Sequence, residues 1–257
     1  MDVVIISGLA FLASALTFFS GFGLGTILTP VFLVFFPPDM AIALTGIVHF
    51  FNNLFKISLV GRQASKEIVA RFGIPAVVFA FIGAWCMLRL SHLDPLLSYT
   101  WWGNTFSLYP IKLIIAILLI FFALMDLLPS LKKIQFGKDK LVLGGALSGF
   151  FGGLSGNQGA LRSAFLIKAG LTKEAFIGSA VVVSTLVDLS RLGIYATRFH
   201  NTGLMENLPM VTLATVSAIA GAWLGNRLLK KVTIHFLQVA VAVMLIILSI
   251  ALGAGWV

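Results

Sequence analysis

Polar and ionisable side chains interrupt two stretches of the chain that are otherwise apolar. In the first stretch His49, Asn52, Asn53 and Lys56 stand at positions i, i+3, i+4 and i+7, which places all four on one face of a helix. Groups of this kind are costly inside a membrane and by default indicate a functional site. The stripe predicts a wet cavity, in which His49 is a candidate proton carrier.

The second stretch repeats the spacing with Ser184, Asp188 and Arg191 at positions i, i+4 and i+7. Two polar stripes at corresponding places predict one cavity between them, with Asp188 as the second candidate proton carrier. Structural roles stay open for the same residues. Asp188 and Arg191 could form a local ion pair, and Lys56 could extend its amine to the basic loop that follows it.

A third polar stretch, residues 149–162, contains glycines, two amides and an arginine inside an apolar region. Glycines in a helix interior cost about 1 kcal/mol each relative to alanine, so this cluster predicts a broken helix. A half-helix that begins near Gln158 or Gly159 would direct bare N–H groups into the protein, where they favour anions. Arg162 would add a guanidinium suited to an oxyanion. Close helix packing explains Gly145 and its neighbours, but not amides followed by an arginine.

A weaker copy of this break covers residues 20–30, where a second half-helix would begin near Thr26 and Pro30 suits its first turn. We therefore expect an electropositive pocket between two broken helices, without a metal or cofactor. The predicted anion-binding residues are Gly23, Gly25, Thr26, Thr29, Asn52, Asn53, Lys56, Ser155, Gly156, Asn157, Gln158, Gly159, Arg162 and Arg191.

The composition identifies the elements that must position these residues. Of the 257 residues, 59% are hydrophobic and only 11% are charged, against about 25% charged in a soluble domain. The apolar runs are continuous, which predicts an all-α integral membrane protein rather than a barrel. The single cysteine excludes an internal disulfide. The net charge of +9 comes from basic residues scattered among the spans, so nucleic-acid binding is not expected.

The apolar runs predict two repeats in one transmembrane domain, and each repeat is a broken-helix hairpin followed by three helices. Gly83-Ala84-Trp85 with Arg89 matches Gly221-Ala222-Trp223 with Arg227, which indicates an internal duplication. The predicted bounds are repeat 1 at 1–129 (hairpin 3–36, helices 40–60, 72–90 and 111–128), a cytoplasmic linker at 130–140, and repeat 2 at 141–257 (hairpin 141–169, helices 175–195, 208–228 and 234–253).

The lysines and arginines outside the spans favour hairpins over simple crossings. If each broken region crosses the membrane once, these residues split eight to seven; if each is a hairpin, they split twelve to three. The positive-inside rule prefers the second arrangement. Each repeat then crosses an odd number of times, so the second is inverted relative to the first, a plan of many secondary transporters. Both termini would be periplasmic, and no cleavable signal is evident.

At these residues the chain resembles the TauE/SafE sulfite exporter family. The resemblance covers nearly the whole chain and includes Gly21 to Gly25 with Pro30, Pro37-Pro38, residues 41–45, and Gly152 to Gly159. The chain departs from the commoner pattern of the family at Asn157-Gln158, where many members continue with glycine. The resemblance implies a bacterial inner-membrane transporter that exports sulfite or a small organosulfur anion by alternating access. Whether the protein forms a homodimer stays open.

Two other functions compete with this interpretation. A passive anion channel would need no trapped substrate. An intramembrane serine protease would use Ser155, because residues 153–156 read Gly-Leu-Ser-Gly and His49 is the histidine well inside a span. The duplication places that tetrapeptide in a repeated break, and we expect no enzymatic activity.

Overall fold

The computed structural model of the chain describes residues 2–17, 23–132, 135–197, 205–228 and 234–256. Five residues named in the sequence analysis or counted there as basic lie outside these ranges: Gly21, Lys133, Arg198, Lys230 and Lys231. The elements of the first half are α1 (Asp2–Thr17), α2 (Leu24–Phe35), α3 (Pro38–Val60), α4 (Lys66–Ile68), α5 (Ile74–Leu90), β1 (Leu97–Trp101), β2 (Asn104–Leu108), α6 (Pro110–Leu127) and α7 (Pro129–Lys132). Those of the second half are α8 (Leu141–Ser155), α9 (Gly159–Leu166), α10 (Lys173–Tyr195), α11 (Leu208–Leu228) and α12 (Ile234–Gly253).

The all-α membrane class is confirmed. Within the described residues, four helices are long and apolar enough to cross a membrane: Pro38–Gln63, Lys66–Leu90, Lys173–Tyr195 and Leu208–Arg227. Shorter apolar helices cover Val3–Thr17, Leu24–Phe35, Pro110–Met125 and Ala242–Gly253. α6 and α12, which the sequence predicts as full spans, fall in this shorter group over the residues described.

Two stretches that the sequence predicts as loops have regular structure. The basic segment after α3 forms a 3₁₀ turn at Gly61–Gln63, then α4, then a π-helical turn at Val69–Gly73 that continues into α5. Ser65 explains the new start, because its side chain accepts a hydrogen bond from the Ile68 N–H at 3.5 Å and so caps α4. The chain therefore turns sharply at residues 64–65 and is helical on both sides.

The second such stretch, between the predicted helices 72–90 and 111–128, is the antiparallel hairpin β1–β2, in which Tyr99 pairs with Phe106. The Tyr99 hydroxyl donates to the Ala254 carbonyl at 2.7 Å and accepts from Trp256 Nε1 at 3.1 Å. Trp256 also stacks on Trp101 with ring centroids 5.7 Å apart. The hairpin thus binds the residues that follow α12.

The broken region of the second half turns back on itself. Gly156 ends α8 in the left-handed conformation at φ +74°, which favours glycine. α9 then returns along α8, because a Cβ added at Gly144 would meet the Phe165 ring near the end of α9. The Phe136 N–H, just before α8, donates to the Ala164 carbonyl at 3.1 Å. The two arms are therefore antiparallel, and their outer ends lie together.

Glycines let the helices of one half contact those of the other through their backbones. A Cβ added at Gly145, Gly149 or Gly153 of α8 would meet carbonyl oxygens of Phe72, Ala76 or Ala80 respectively. This spacing of four is the small-residue packing typical of membrane helices. It accounts for the glycines before the break, as the packing alternative proposes.

The helix contacts are reciprocal between the halves. α8 packs on α5 as α1 packs on α11, α10 contacts α5 as α3 contacts α11, and α9 contacts α6 as α2 contacts α12. The matched tryptophan–arginine motifs are also similar. Arg89 lies over the Trp85 ring at 5.2 Å, and Arg227 lies over the Trp223 ring at 4.4 Å. Exchanging the halves therefore maps most of the helix packing onto itself.

Candidate functional site

The two polar stripes meet where α3 packs on α10. His49 Nδ1 lies 2.6 Å from Asp188 Oδ2, and Asn53 Nδ2 donates to the same oxygen at 3.2 Å. Arg191 donates to Asp188 Oδ1 from Nε at 3.0 Å and from Nη2 at 2.7 Å. Asp188 is fully buried, so these four contacts replace the water that an ionised carboxylate needs.

This network contains both the predicted functional contact and its structural alternative. The local ion pair of Asp188 with Arg191 is present, and His49 joins the same carboxylate from the opposite half. The short contact places a hydrogen between His49 Nδ1 and Asp188, which leaves His49 Nε2 on the other side of the ring. A Cβ at Gly23, beside a cavity, would lie 3.6 Å from that Nε2 atom.

A cavity of about 40 Å³ lies next to His49, several times the roughly 10–15 Å³ that holds one water molecule. The described residues that line it include no carboxylate. They are Thr17, Gly23, Leu24, His49, Asn53, Lys56, Arg162, Phe176, Ile177, Ala180, Val181 and Ser184.

Lys56 and Arg162 give this cavity its positive charge. Lys56 is 6% exposed and Arg162 is 5% exposed, so the Lys56 amine does not extend to the surface. Arg162 Nη1 donates to Ser184 Oγ, while its Nε atom has no hydrogen-bond partner among the described residues. Two buried basic side chains thus face one small space whose described lining has no carboxylate, an electrostatic setting that favours an anion over a cation.

The first turn of α2 adds a weaker attraction for anions. Gly23 is the N-cap of α2, and no side chain caps it. The helix therefore begins at the cavity with its positive dipole end, and within this first turn the Thr26 N–H donates to the Gly23 carbonyl at 3.0 Å. The sequence predicts this half-helix start two residues later, near Thr26. The prediction that Pro30 lies in the first turn is wrong, because the earlier start places Pro30 inside α2.

The tips of the two broken regions touch each other beside the cavity. Gly25 packs on the backbone of Gly156, since a Cβ there would lie 2.7 Å from the Gly156 oxygen. Thr26 Oγ1 donates to Asn157 Oδ1 at 2.9 Å. Thr29 Oγ1 and Arg191 Nη1 flank Gly156, each 2.9 Å from the position that a Cβ would take.

The remaining predicted residues lie outside the lining of this cavity. Ser155 Oγ donates to the Phe151 carbonyl at 2.9 Å and accepts from the Asn157 N–H at 3.4 Å. Asn52 Oδ1 accepts from Ser14 at 3.0 Å. The predicted set therefore divides in two: Gly23, His49, Asn53, Lys56 and Arg162 line the cavity, whereas Gly25, Thr26, Thr29, Asn52, Ser155, Gly156, Asn157, Gln158, Gly159, Asp188 and Arg191 do not.

Seven of the twelve described lining residues of the cavity are absent from the predicted set. Ser184 belongs to the recognised stripe but was not assigned to the site, and it bonds Arg162. On the same face of α10, Ala180 and Val181 lie one turn before Ser184, and Phe176 and Ile177 lie two turns before it, so the helical period could have found them. Thr17 and Leu24 carry no comparable signal.

Ser155 and His49, the pair that the serine protease alternative would use, each contact other groups. Ser155 Oγ bonds within its own tip, and His49 Nδ1 faces Asp188. Within the described residues, no group of three or more His, Cys, Asp and Glu side chains could hold a metal ion.

Comparison with known proteins relates the chain to a known family. A family model described as sulfite exporter TauE/SafE matches residues 6–252 of the chain. No curated protein and no solved structure matches.

Proposed function

The chain belongs to the sulfite exporter TauE/SafE family, and from that premise we propose that it exports sulfite or a small organosulfur anion by alternating access. The family is one of transporters, and the apolar helices agree with a multi-pass membrane location. The substrate would bind in the cavity between α3, α9, α10 and the start of α2.

The observation that carries this proposal is the pair of buried cations at the cavity, Lys56 and Arg162, with no carboxylate among the described lining residues. An anion in the cavity would be attracted by both positive charges, while Ser184 and Asn53 add neutral hydrogen-bonding groups. A small oxyanion accepts such bonds in several directions, and guanidinium suits it geometrically. The neighbouring Asp188 is already paired with Arg191 and His49, so its charge does not oppose the ligand strongly.

The size of the cavity favours a small ligand. A space of about 40 Å³ accommodates a few atoms the size of a water molecule, given that one water needs roughly 10–15 Å³. Sulfite, with one sulfur and three oxygens, matches this volume better than sulfoacetate. Sulfite is therefore the preferred substrate in this proposal.

The same proposal includes the sidedness of transport. With inverted repeats, the basic segment after α3 and the linker before α8 face the cytoplasm. Lys138 of that linker lies 3.9 Å from Glu67 of the basic segment, which supports one shared face. The bacterial inner membrane and the periplasmic termini are part of the proposal.

Proton coupling would involve His49, with Asp188 as its partner. His49 Nδ1 contacts Asp188, and the opposite nitrogen lies toward Gly23 at the cavity. A proton taken up on Nε2 would add a donor and a positive charge next to a bound anion, so the two would move together.

Calorimetry on the purified protein tests this function. Sulfite, sulfate and sulfoacetate are titrated separately at constant ionic strength. We expect saturable binding of sulfite and weaker binding of the other two anions. Absence of sulfite binding, or equal binding of all three anions, would contradict the proposal.

A further inference from the structure

Because exchanging the two halves maps most of the helix packing onto itself, the cavity should have a counterpart formed by the exchanged elements. α3 and α10 both contain 23 residues, so their positions can be matched from their first residues. Lys56 and Arg191 then occupy the same position, as do Asn53 and Asp188. The cavity uses the beginning of α10 and the end of α3. Its counterpart must use the beginning of α3 and the end of α10.

The structure holds this counterpart in a closed form around Arg191. A Cβ at Gly46, near the beginning of α3, would lie 3.4 Å from Arg191 Cζ. A Cβ at Gly156 would lie 3.8 Å from Ile42 and 2.9 Å from both Arg191 Nη1 and Thr29 Oγ1. The guanidinium thus occupies the place that corresponds to open space near Lys56.

Three hydrogen-bond donors at this closed position lack partners among the described residues. They are Arg191 Nη1, Thr29 Oγ1 and Asn157 Nδ2, and their side chains are at most 1% exposed. Buried polar groups are nearly always bonded, so three orphans in one neighbourhood need an explanation. A ligand that enters in another conformation supplies one.

The chemistry of the three groups suits an oxyanion, because each can donate a hydrogen bond. Arg191 keeps Asp188 through Nε and Nη2, which leaves Nη1 available to a ligand without breaking the ion pair. Thr29 contributes its hydroxyl from α2, and Asn157 its amide from the tip of the second broken region. The glycine between them has no side chain to fill the space.

We propose that Arg191, Thr29 and Asn157 form a second station for the same class of small oxyanion, closed in this structure and open to the opposite face of the membrane in the alternate state. This inference rests on the proposed function. Rocking of the halves would separate the tips at Gly25 and Gly156, and close the cavity at Lys56 and Arg162. The substrate would pass from one station to the other past His49.

Sided transport measurements test this second station. Sulfite exchange is measured in right-side-out and inside-out membrane vesicles, with sulfite varied on one face at a time. Thr29→Val keeps the side-chain shape and removes the hydroxyl. It should raise the half-saturating sulfite concentration about tenfold at the face opposite the cavity, the loss of one hydrogen bond to an anion. The value at the cavity face should be unchanged.

Thr185→Val is the matched control, because Thr185 is also buried and its hydroxyl donates to its own helix at Val181. It should change neither face. An equal effect of Thr29→Val on both faces, or none, would overturn the second station. Absence of sulfite exchange by the wild-type protein would instead reject the proposed function, so the two failures differ.

Accessibility of introduced cysteines gives an answer that does not depend on transport. In a Cys86→Ser background, which removes the single native cysteine, Thr29→Cys and Ser184→Cys are treated separately with a membrane-impermeant thiol reagent. We expect Ser184→Cys to react from the cavity face and Thr29→Cys from the opposite face. Reaction of both from the same face would contradict the inference.

Discussion

Loss of the Arg162 charge should weaken anion binding strongly. Arg162→Gln keeps a side-chain amide that can still bond Ser184, but it removes a buried cation from the cavity. Opposite unit charges 4 Å apart attract by about 4 kcal/mol at an effective dielectric constant of 20. Hydrogen bonds to charged groups contribute about 1.5–3 kcal/mol net, so we expect a loss of about 2–3 kcal/mol. This corresponds to roughly a 30- to 150-fold higher Kd for sulfite.

The assay is calorimetric titration of sulfite into purified wild-type and variant protein in the same detergent. Arg89→Gln is the matched control, since Arg89 is exposed and lies over Trp85 away from the cavity. It loses the same charge and should leave the Kd within about twofold of the wild-type value, as expected for a screened surface charge. If Arg162→Gln binds sulfite as the wild-type protein does, Arg162 is not part of the site and the charge argument fails.

Three further changes separate packing from function. Gly149→Ala should lower the free energy of unfolding by about 1–3 kcal/mol, because its Cβ would meet the backbone of α5. Gly8→Ala is the control, because the space at its Cβ is open, and it should leave the free energy of unfolding unchanged. Equal thermal unfolding of the two variants would contradict the packing argument. Tyr195→Phe removes the donor to the Gly153 carbonyl at 2.5 Å and should lower the free energy of unfolding by about 1 kcal/mol, with an unchanged Kd for sulfite. A large change in this Kd would show that the contact belongs to the binding site. His49→Gln keeps a polar group near Asp188 but cannot carry a proton, so sulfite transport should lose its response to an imposed pH gradient, and an unaltered response would exclude His49 as the carrier.

Much of the fold could be predicted because the length of a membrane helix and the position of a break depend on neighbouring residues in the sequence. Continuous apolar runs predict membrane helices, and the glycine cluster predicts the break at Gly156, where φ is +74°. The hairpin β1–β2 was missed, although its residues alternate and Gly103 follows Trp102 at the turn. Aromatic residues concentrate in this stretch and obscure the period of two.

The candidate site was predictable in its chemistry and less so in its arrangement. The helical period placed His49, Asn53 and Lys56 on one face, and all three line the cavity. It could not reveal that Asp188 would bond His49 across the two halves, because that contact depends on how α3 and α10 pack. Nor could it separate Arg162, at the cavity, from Arg191, at the contact between the tips.

The most direct test of the central claim is sulfite counterflow in proteoliposomes that contain the wild-type protein. Vesicles are loaded with unlabelled sulfite, and uptake of labelled sulfite is followed over a range of external concentrations. Alternating access through a small cationic cavity predicts saturable uptake that internal sulfite stimulates. Uptake no greater than in protein-free liposomes, or a flux that rises linearly and ignores internal sulfite as in a passive channel, would contradict the account.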